Sequence, residues 1–318
     1  MSFKKSVCLL LCVLMTAGLL CGCRSPQGKR TYVAMIAKST ESAFWKSVYS
    51  GAQAAANEYN LDISFEGPDN EEDYTAQNKM LENAVARQAD VIVLSAIDYN
   101  KSVAEVEAAV AAGVRVISID SDINSGSVSS RIGTDNYKAG QTAAEAVLKR
   151  AGALRVGIVN FDINTRNGQD RERGFRERLA QESRVSIYDT INAKSNTEAA
   201  KQSARALIAA HPDMNVIVTF NEWTSLGVGY AVEELGLKEQ IDVIAFDNNV
   251  VSVRMLETGE VDALVVQTPF AMGYLAVEYA GRLANNKPVP EQTETKTTLV
   301  MRDNMYDADI QKILFPFD

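Results

Sequence analysis

An α/β protein of two doubly wound lobes is what this sequence predicts, and three observations predict it. Short β-branched runs recur and stop on polar side chains: 91–94 runs on to Ser95 and Asp98, Val116-Ile117-Ser118-Ile119 stops at Asp120, 156–161 at Asp162, 216–220 at Asn221, 243–246 at Asp247 and 264–266 at Gln267. Runs that are apolar on both faces read as buried strands of a parallel sheet, and groups just past their C-terminal ends lie where open α/β sheets hold ligands. Amphipathic helical stretches separate the runs, which is the rhythm of βαβ units. The rhythm breaks at Asn124-Ser125-Gly126-Ser127 and starts afresh after Asp135-Asn136, so the strands fall into two consecutive sets.

At the N-terminus, Lys4 and Lys5 precede an apolar stretch, 7–20, and then Leu20-Cys21-Gly22-Cys23. A basic start, a short apolar middle and small residues at the cut describe an export signal rather than a spanning helix. Leu20-x-Gly22-Cys23 resembles a bacterial lipobox, which implies that 1–22 is removed, that Cys23 is lipidated and that 23–30 is a tether; an ordinary signal peptide that happens to contain cysteines is the alternative. The chain would then sit lipid-anchored in the cell envelope, on the outer face of a cytoplasmic membrane or in the periplasm. Cys8, Cys12, Cys21 and Cys23 all lie in this segment, so the domain beyond it has no disulfide and no thiolate chemistry. A large core must supply its stability, and the remaining length suffices for two lobes. The net charge of −9 becomes −11 once Lys4 and Lys5 are lost, which argues against nucleic acid.

In order, the first set reads as strand 32–37, helix 42–59, strand 61–65, helix 73–87, strand 91–94, helix 103–112 stopped by Gly113, strand 116–119 and segment 128–134. The second reads as helix 137–150, strand 156–161, helix 168–181, strand 185–188, helix 196–210, strand 216–220, helix 224–235, strand 243–246, a helix from Val250, and segment 263–266. Helix 269–283 is left over, and in a two-lobed design it can return to the first lobe.

Catalytic constellations are missing. The single histidine, His211, stands before Pro212 at a helix end and suits a cap or surface position better than a base. With no cysteine beyond Cys23, zinc sites of the usual kind and His- or Cys-based nucleophilic chemistry have no support. No Gly-x-Gly-x-x-Gly follows a strand and no Gly-Lys-Ser/Thr loop occurs, which disfavours dinucleotides and nucleoside triphosphates. The expectation is a protein with no catalytic activity, no metal and no cofactor.

What remains suits a neutral, hydroxyl-rich ligand. Such a ligand needs multidentate hydrogen-bonding side chains around its rim and aromatic faces against its C–H surfaces. Asp120, Asp247, Asn221, Gln267 and Arg171 are candidates for the first role, Phe44 and Trp45 for the second. Each has a plainer alternative: Phe44-Trp45 as core, Arg171 as part of a solvated charge run, Asp247-Asn248-Asn249 as a helix cap.

These residues sit in segments that resemble the periplasmic sugar-binding proteins of ABC importers, of the ribose-binding type. The segments are Ala43-Phe44-Trp45, Ile119-Asp120-Ser121-Asp122, Gly133-Thr134-Asp135-Asn136, Arg171-Glu172-Arg173-Gly174-Phe175, Phe220-Asn221-Glu222, Phe246-Asp247 and Gln267-Thr268-Pro269, in order from about residue 31 to 289. The resemblance implies two Rossmann-like lobes of the type I periplasmic binding protein fold, joined by a hinge of three crossings at 135–136, 267–268 and 296–297. It divides the chain into a first lobe of 31–134 with 269–296 and a second of 137–266 with 297–318. It implies that Phe44 and Trp45 flank a sugar ring with Ser42 near its hydroxyls, that Asp120 accepts from adjacent hydroxyls, that Arg171 clamps from the second lobe, and that Asn221, Asp247 and Gln267 complete the rim. Three positions depart from the pattern. Ser121 replaces an arginine, Ser195 replaces an aromatic, and Lys38 replaces a small residue and could point into the cleft. The implied function is a monomeric solute-binding lipoprotein that captures a pentose or hexose and delivers it to an ABC permease. A sensory lipoprotein that presents a sugar or autoinducer to a receptor kinase would carry the same features. A transcription regulator on this core would have an N-terminal helix-turn-helix where this chain has the lipobox.

Overall fold

The β-branched runs form strands whose side chains are buried on both faces, so each sheet must be covered twice by helices. The computed structural model describes residues 30–315; the expected leader 1–22, Cys23, the tether as far as 29, and 316–318 lie outside the described residues. From Thr31 the chain forms one compact unit. It opens with β1 (Tyr32–Ile36), α1 (Ala43–Tyr59), β2 (Asp62–Glu66), α2 (Tyr74–Ala86), β3 (Val91–Leu94), α3 (Val103–Ala111), β4 (Arg115–Ile119) and β5 (Ser130–Thr134). There follow α4 (Asn136–Leu148), β6 (Leu154–Asn160), α5 (Arg166–Leu179), β7 (Val185–Asn192), α6 (Thr197–Ala210), β8 (Val216–Thr219), α7 (Glu222–Leu235), β9 (Asp242–Phe246), α8 (Val250–Thr258) and β10 (Ala263–Val266). The chain ends with α9 (Pro269–Ala284), β11 (Gln292–Thr295), β12 (Thr298–Met301) and α10 (Ala308–Leu314).

Helices begin where the sequence supplies a cap. Ser42, Asp73, Asp135, Asn196, Asn221 and Asn249 each accept a hydrogen bond from a backbone N–H of the first turn, satisfying a donor the helix itself cannot. Pro269 starts α9, where its missing N–H costs nothing.

Among the described residues the strands form two six-stranded sheets, ordered β11-β5-β4-β3-β1-β2 and β12-β10-β9-β8-β6-β7. Pairing is parallel except for β12, which runs antiparallel to β10. The chain passes from one sheet to the other after β5, after β10 and between β11 and β12. One face of the first sheet packs on Trp45, Val48 and Val277 from α1 and α9, the other on Leu81 and Val106 from α2 and α3. The second sheet is covered by Val147 and Phe175 on one side and by Leu207, Val232 and Leu256 on the other.

In each lobe two helices cross at backbone contact. A Cβ on Gly51 of α1 would lie 2.0 Å from the Phe270 carbonyl oxygen of α9, and one on Gly140 of α4 would lie 2.0 Å from the Arg171 carbonyl oxygen of α5. Only glycine permits that approach.

Beyond shifts of one or two residues at other ends, the elements depart from the sequence reading at β7, α7, β11, β12 and α10. The strand expected at 185–188 continues to Asn192, paired along β6 through an irregularity after Val156. The helix expected from Thr224 starts at Glu222 because Asn221 caps it. β11 and β12 were not foreseen, being four-residue strands rich in Thr, Gln and Glu that alternate too briefly to stand out. α10 was not foreseen either, since its seven residues give barely two turns of periodicity.

Candidate functional site

The strand ends of the two sheets face one another across a narrow cavity of about 30 Å³. At its centre are two aspartates in equivalent places. Asp120 follows β4 and donates its N–H to the Ile132 carbonyl of the neighbouring β5; Asp247 follows β9 and donates its N–H to the Val265 carbonyl of the neighbouring β10. Both take left-handed backbone conformations, φ 56 for Asp120 and φ 70 for Asp247. Such conformations are uncommon for side chains other than Gly, Asn and Asp and tend to persist at functional sites. Neither aspartate caps the next helix, since Asn249 does so after Asp247 and Asp135 caps α4.

Arg171 bridges the two halves. In the run Asp170-Arg171-Glu172-Arg173 it alone is fully buried, at 1% exposed, because it lies on the face of α5 turned toward α4 and the sheet. Its Nε donates to Asn136 Oδ1 at 2.8 Å, and its two terminal nitrogens donate to the Phe220 carbonyl at 2.6 Å and to Gln267 Oε1 at 2.7 Å. The guanidinium lies 4.9 Å over the Phe246 ring and 3.8 Å from Asp120 Oδ1. Gln267, on the chain crossing after β10, also accepts from Thr134 and donates to Asp247 Oδ1 at 2.7 Å. Burial pushes the Arg171 guanidinium down from its ordinary pKa despite the facing carboxylates. It also pushes the Asp247 carboxyl up to about 7, with Arg171 and the Gln267 amide acting the other way.

On the first-lobe side Lys38, 3% exposed, places its ammonium 3.5 Å from Asp120 Oδ2, 3.9 Å from Glu71 Oε2 and 5.2 Å above the Phe161 ring. Asp120 also accepts from Ser95 and, across the cleft, from the Asn167 amide at 3.1 Å. Glu71 Oε1 accepts from two indole N–H groups, Trp45 at 3.1 Å and Trp223 at 3.2 Å. Glu222, at the start of α7, accepts from the Ala43 and Phe44 backbone N–H groups at 3.1 and 3.0 Å. A carboxylate there is favoured by the positive end of the α1 dipole. Burial raises both Glu71 and Glu222 above the usual carboxylate range.

Of the residues singled out in the sequence, Lys38, Ser42, Phe44, Trp45, Asp120, Arg171, Asn221, Asp247 and Gln267 line this cavity together. Ser121 does not line it. The turn at Asp120 carries Ser121 into a fully buried place where its Oγ has no hydrogen-bond partner among the described residues. Ser195 is likewise absent from the lining, and its backbone N–H meets Glu72 across the cleft at 2.6 Å. Ser42 and Asn221 both serve as helix caps as well as lining. Four lining residues were missed: Glu71, Asn167, Glu222 and Trp223. Glu71 sits in an acidic run, 69–73, that reads as solvated loop, while Glu222 and Trp223 directly follow Asn221, where a strand-end reading could have continued.

A family model described as "Periplasmic binding protein domain" matches residues 33–288. The chain is 26% identical to the D-ribose/D-allose-binding protein of Pseudomonas aeruginosa over 281 residues, 84% of this chain and 88% of that one. It is 23% identical to the ribose import binding protein of Bacillus subtilis over 295 residues, 90% of this chain and 95% of that one. Among solved structures, a carbohydrate transporter solute-binding protein of Agrobacterium radiobacter in complex with D-arabinose superposes with a TM-score of 0.87 at 26% identity, covering 91% of this chain and all of that one. An ABC transporter solute-binding protein of Agrobacterium vitis with bound D-fucose gives 0.86 at 28% identity, covering 89% and 99%.

Proposed function

Since the chain belongs to the periplasmic binding protein family, we propose that it captures a monosaccharide, a pentose or hexose, in the cleft between its lobes and delivers it to an ABC permease, anchored to the membrane through a lipid on Cys23. The observation that carries this reading is the placing of Asp120 and Asp247 at matching strand ends with Arg171 and Gln267 between them. Two carboxylates offer acceptors to vicinal hydroxyls, Arg171 keeps donors beyond the three it has committed, and Phe44, Trp45 and Trp223 offer ring faces. Sugars named for the relatives, among them D-ribose, D-allose and D-arabinose, are of this class.

A ring does not enter a cavity of about 30 Å³ unless the lobes separate. Contacts that join the lobes directly, among them Glu222 to the start of α1, Asn167 to Asp120, Trp223 to Glu71 and Ser195 to Glu72, are ones an opening motion breaks. A ligand touching both lobes favours the closed form by the contacts it makes only there, and that form is what a permease would read.

The experiment is a thermal-shift screen of the full chain against aldoses and ketoses, followed by calorimetric titration. Ligand at about a hundred times its dissociation constant should add about 2.7 kcal/mol. Failure of every monosaccharide to shift the melting temperature or to give binding heat would overturn the reading.

A further inference from the structure

Beside the polar cavity lies a larger one, about 530 Å³, between the N-terminal ends of α1 and α9 in the first lobe and those of α8 and the end of α10 in the second. Its walls include Phe44, Val250, Pro269, Phe270, Ile313 and Leu314. Val250 is 75% exposed, a position where an apolar side chain gains nothing from burial. Volumes of roughly 300–1,000 Å³ with mainly apolar walls are usual for small-molecule sites, and uncovered apolar surface of this kind marks places where something binds.

The two cavities adjoin, for Phe44, Glu222, Asp247 and Gln267 line both. At that junction Asp247 Oδ1 accepts from the Gln267 amide at 2.7 Å. A polar compartment and an apolar one therefore meet at these four residues, the Asp247 carboxylate among them.

Taking the sugar-binding reading as given, we propose that the cognate monosaccharide carries one apolar substituent, an aryl or alkyl glycoside or ether, with its ring among Asp120, Arg171 and Asp247 and its apolar arm in the adjoining cavity. A bare sugar would leave the apolar walls wet and would add nothing there to closure. An arm lying between α1 and α9 on one side and α8 and α10 on the other touches both lobes, so its burial favours the closed form directly.

The test is calorimetric titration of the full chain with free aldopentoses and aldohexoses, and then, for each that binds, with its mono-O-benzyl isomers, both benzyl glycosides included. One isomer is expected to bind roughly tenfold tighter than the free sugar, or more, from the apolar area it buries. Ser47→Trp, which fills the apolar cavity from α1, should abolish that gain and leave the affinity for the free sugar unchanged. Val250→Asp provides a second variant, since an acid at the first position of α8 suits the helix while putting charge in the apolar wall. If free sugars bind but no benzyl isomer gains, or the gain survives both variants, the inference is overturned while sugar binding stands. If no free sugar binds, both fall together.

Discussion

Trp45 and Trp223, one from each lobe, donate their indole N–H groups to the same oxygen, Glu71 Oε1, at 3.1 and 3.2 Å. They are also the two tryptophans of the chain. Separation of the lobes must break at least one of these bonds and bring an indole into water. Intrinsic fluorescence should therefore change saturably as a sugar closes the cleft, and Trp223→Phe should remove much of the amplitude. Binding seen by calorimetry with no change in emission would show that the lobes do not move as described.

Asp247 makes stability depend on pH. Its carboxyl is held at about 7 in the folded chain against an ordinary value of 3.8, so the native state keeps this proton where the unfolded chain has lost it. Its contribution is fully present below about pH 4 and is lost as pH rises through 7, by at most about 4 kcal/mol. Asp262, raised to about 6 by its own burial, adds a slope of the same sign, so a comparison of variants is needed. Asp247→Asn keeps an acceptor for Gln267 and should melt progressively higher relative to the parent as pH rises from about 4 to 7, the window in which the slope acts. A gap between the two that does not vary with pH would count against this.

Asp120→Asn should lower stability by about 3 kcal/mol at neutral pH. It removes the nearer of two carboxylates around the buried Lys38 ammonium and leaves Glu71 at 3.9 Å. The same change should weaken sugar binding about tenfold or more, because charged acceptors in a closed cleft are worth more than neutral ones. Urea melts and titration calorimetry check the two effects separately.

Gly140→Ala should cost about 3 kcal/mol, since its methyl would meet the Arg171 carbonyl and force α4 from α5. The displacement acts on Arg171 itself, so affinity should fall further than in an equally destabilised variant remote from the cleft. A normal affinity in the folded fraction would remove this link between the helix crossing and the site.

The buried strands and the long helices were legible because their signals are local. A run such as Val91–Leu94 is buried on both faces and carries no polar residue, and helices such as α1 and α4 have a cap and several turns of periodicity. The rim was legible for a related reason: Asp120, Asn221, Asp247 and Gln267 all stand just past strand ends. Glu71 was not, because what brings it to the cleft is its meeting with Lys38, Trp45 and Trp223, none of which adjoins it in sequence. Ser121 was singled out because the resemblance has an arginine at that position, but after the left-handed turn at Asp120 the serine is buried away from the cavity. β11 escaped notice because its four polar residues become a strand only through pairing with β5.

That pairing, Gln292 with Arg131 through Thr295 with Thr134, has a kinetic consequence. The first sheet also relies on Ala276, Val277, Tyr279, Ala280 and Leu283 of α9 to cover one face, so its core needs residues that follow the whole stretch from α4 to β10. That intervening stretch holds five strands and both faces' helices in unbroken order, and contacts of short sequence separation form sooner. Refolding should thus run inward from the middle of the chain, the second lobe condensing first and acting as a clasp that shortens the loop the first must close. Pulse-labelled hydrogen exchange would then find β8 and β9 amides protected before those of β5, and the reverse order would rule this sequence of events out.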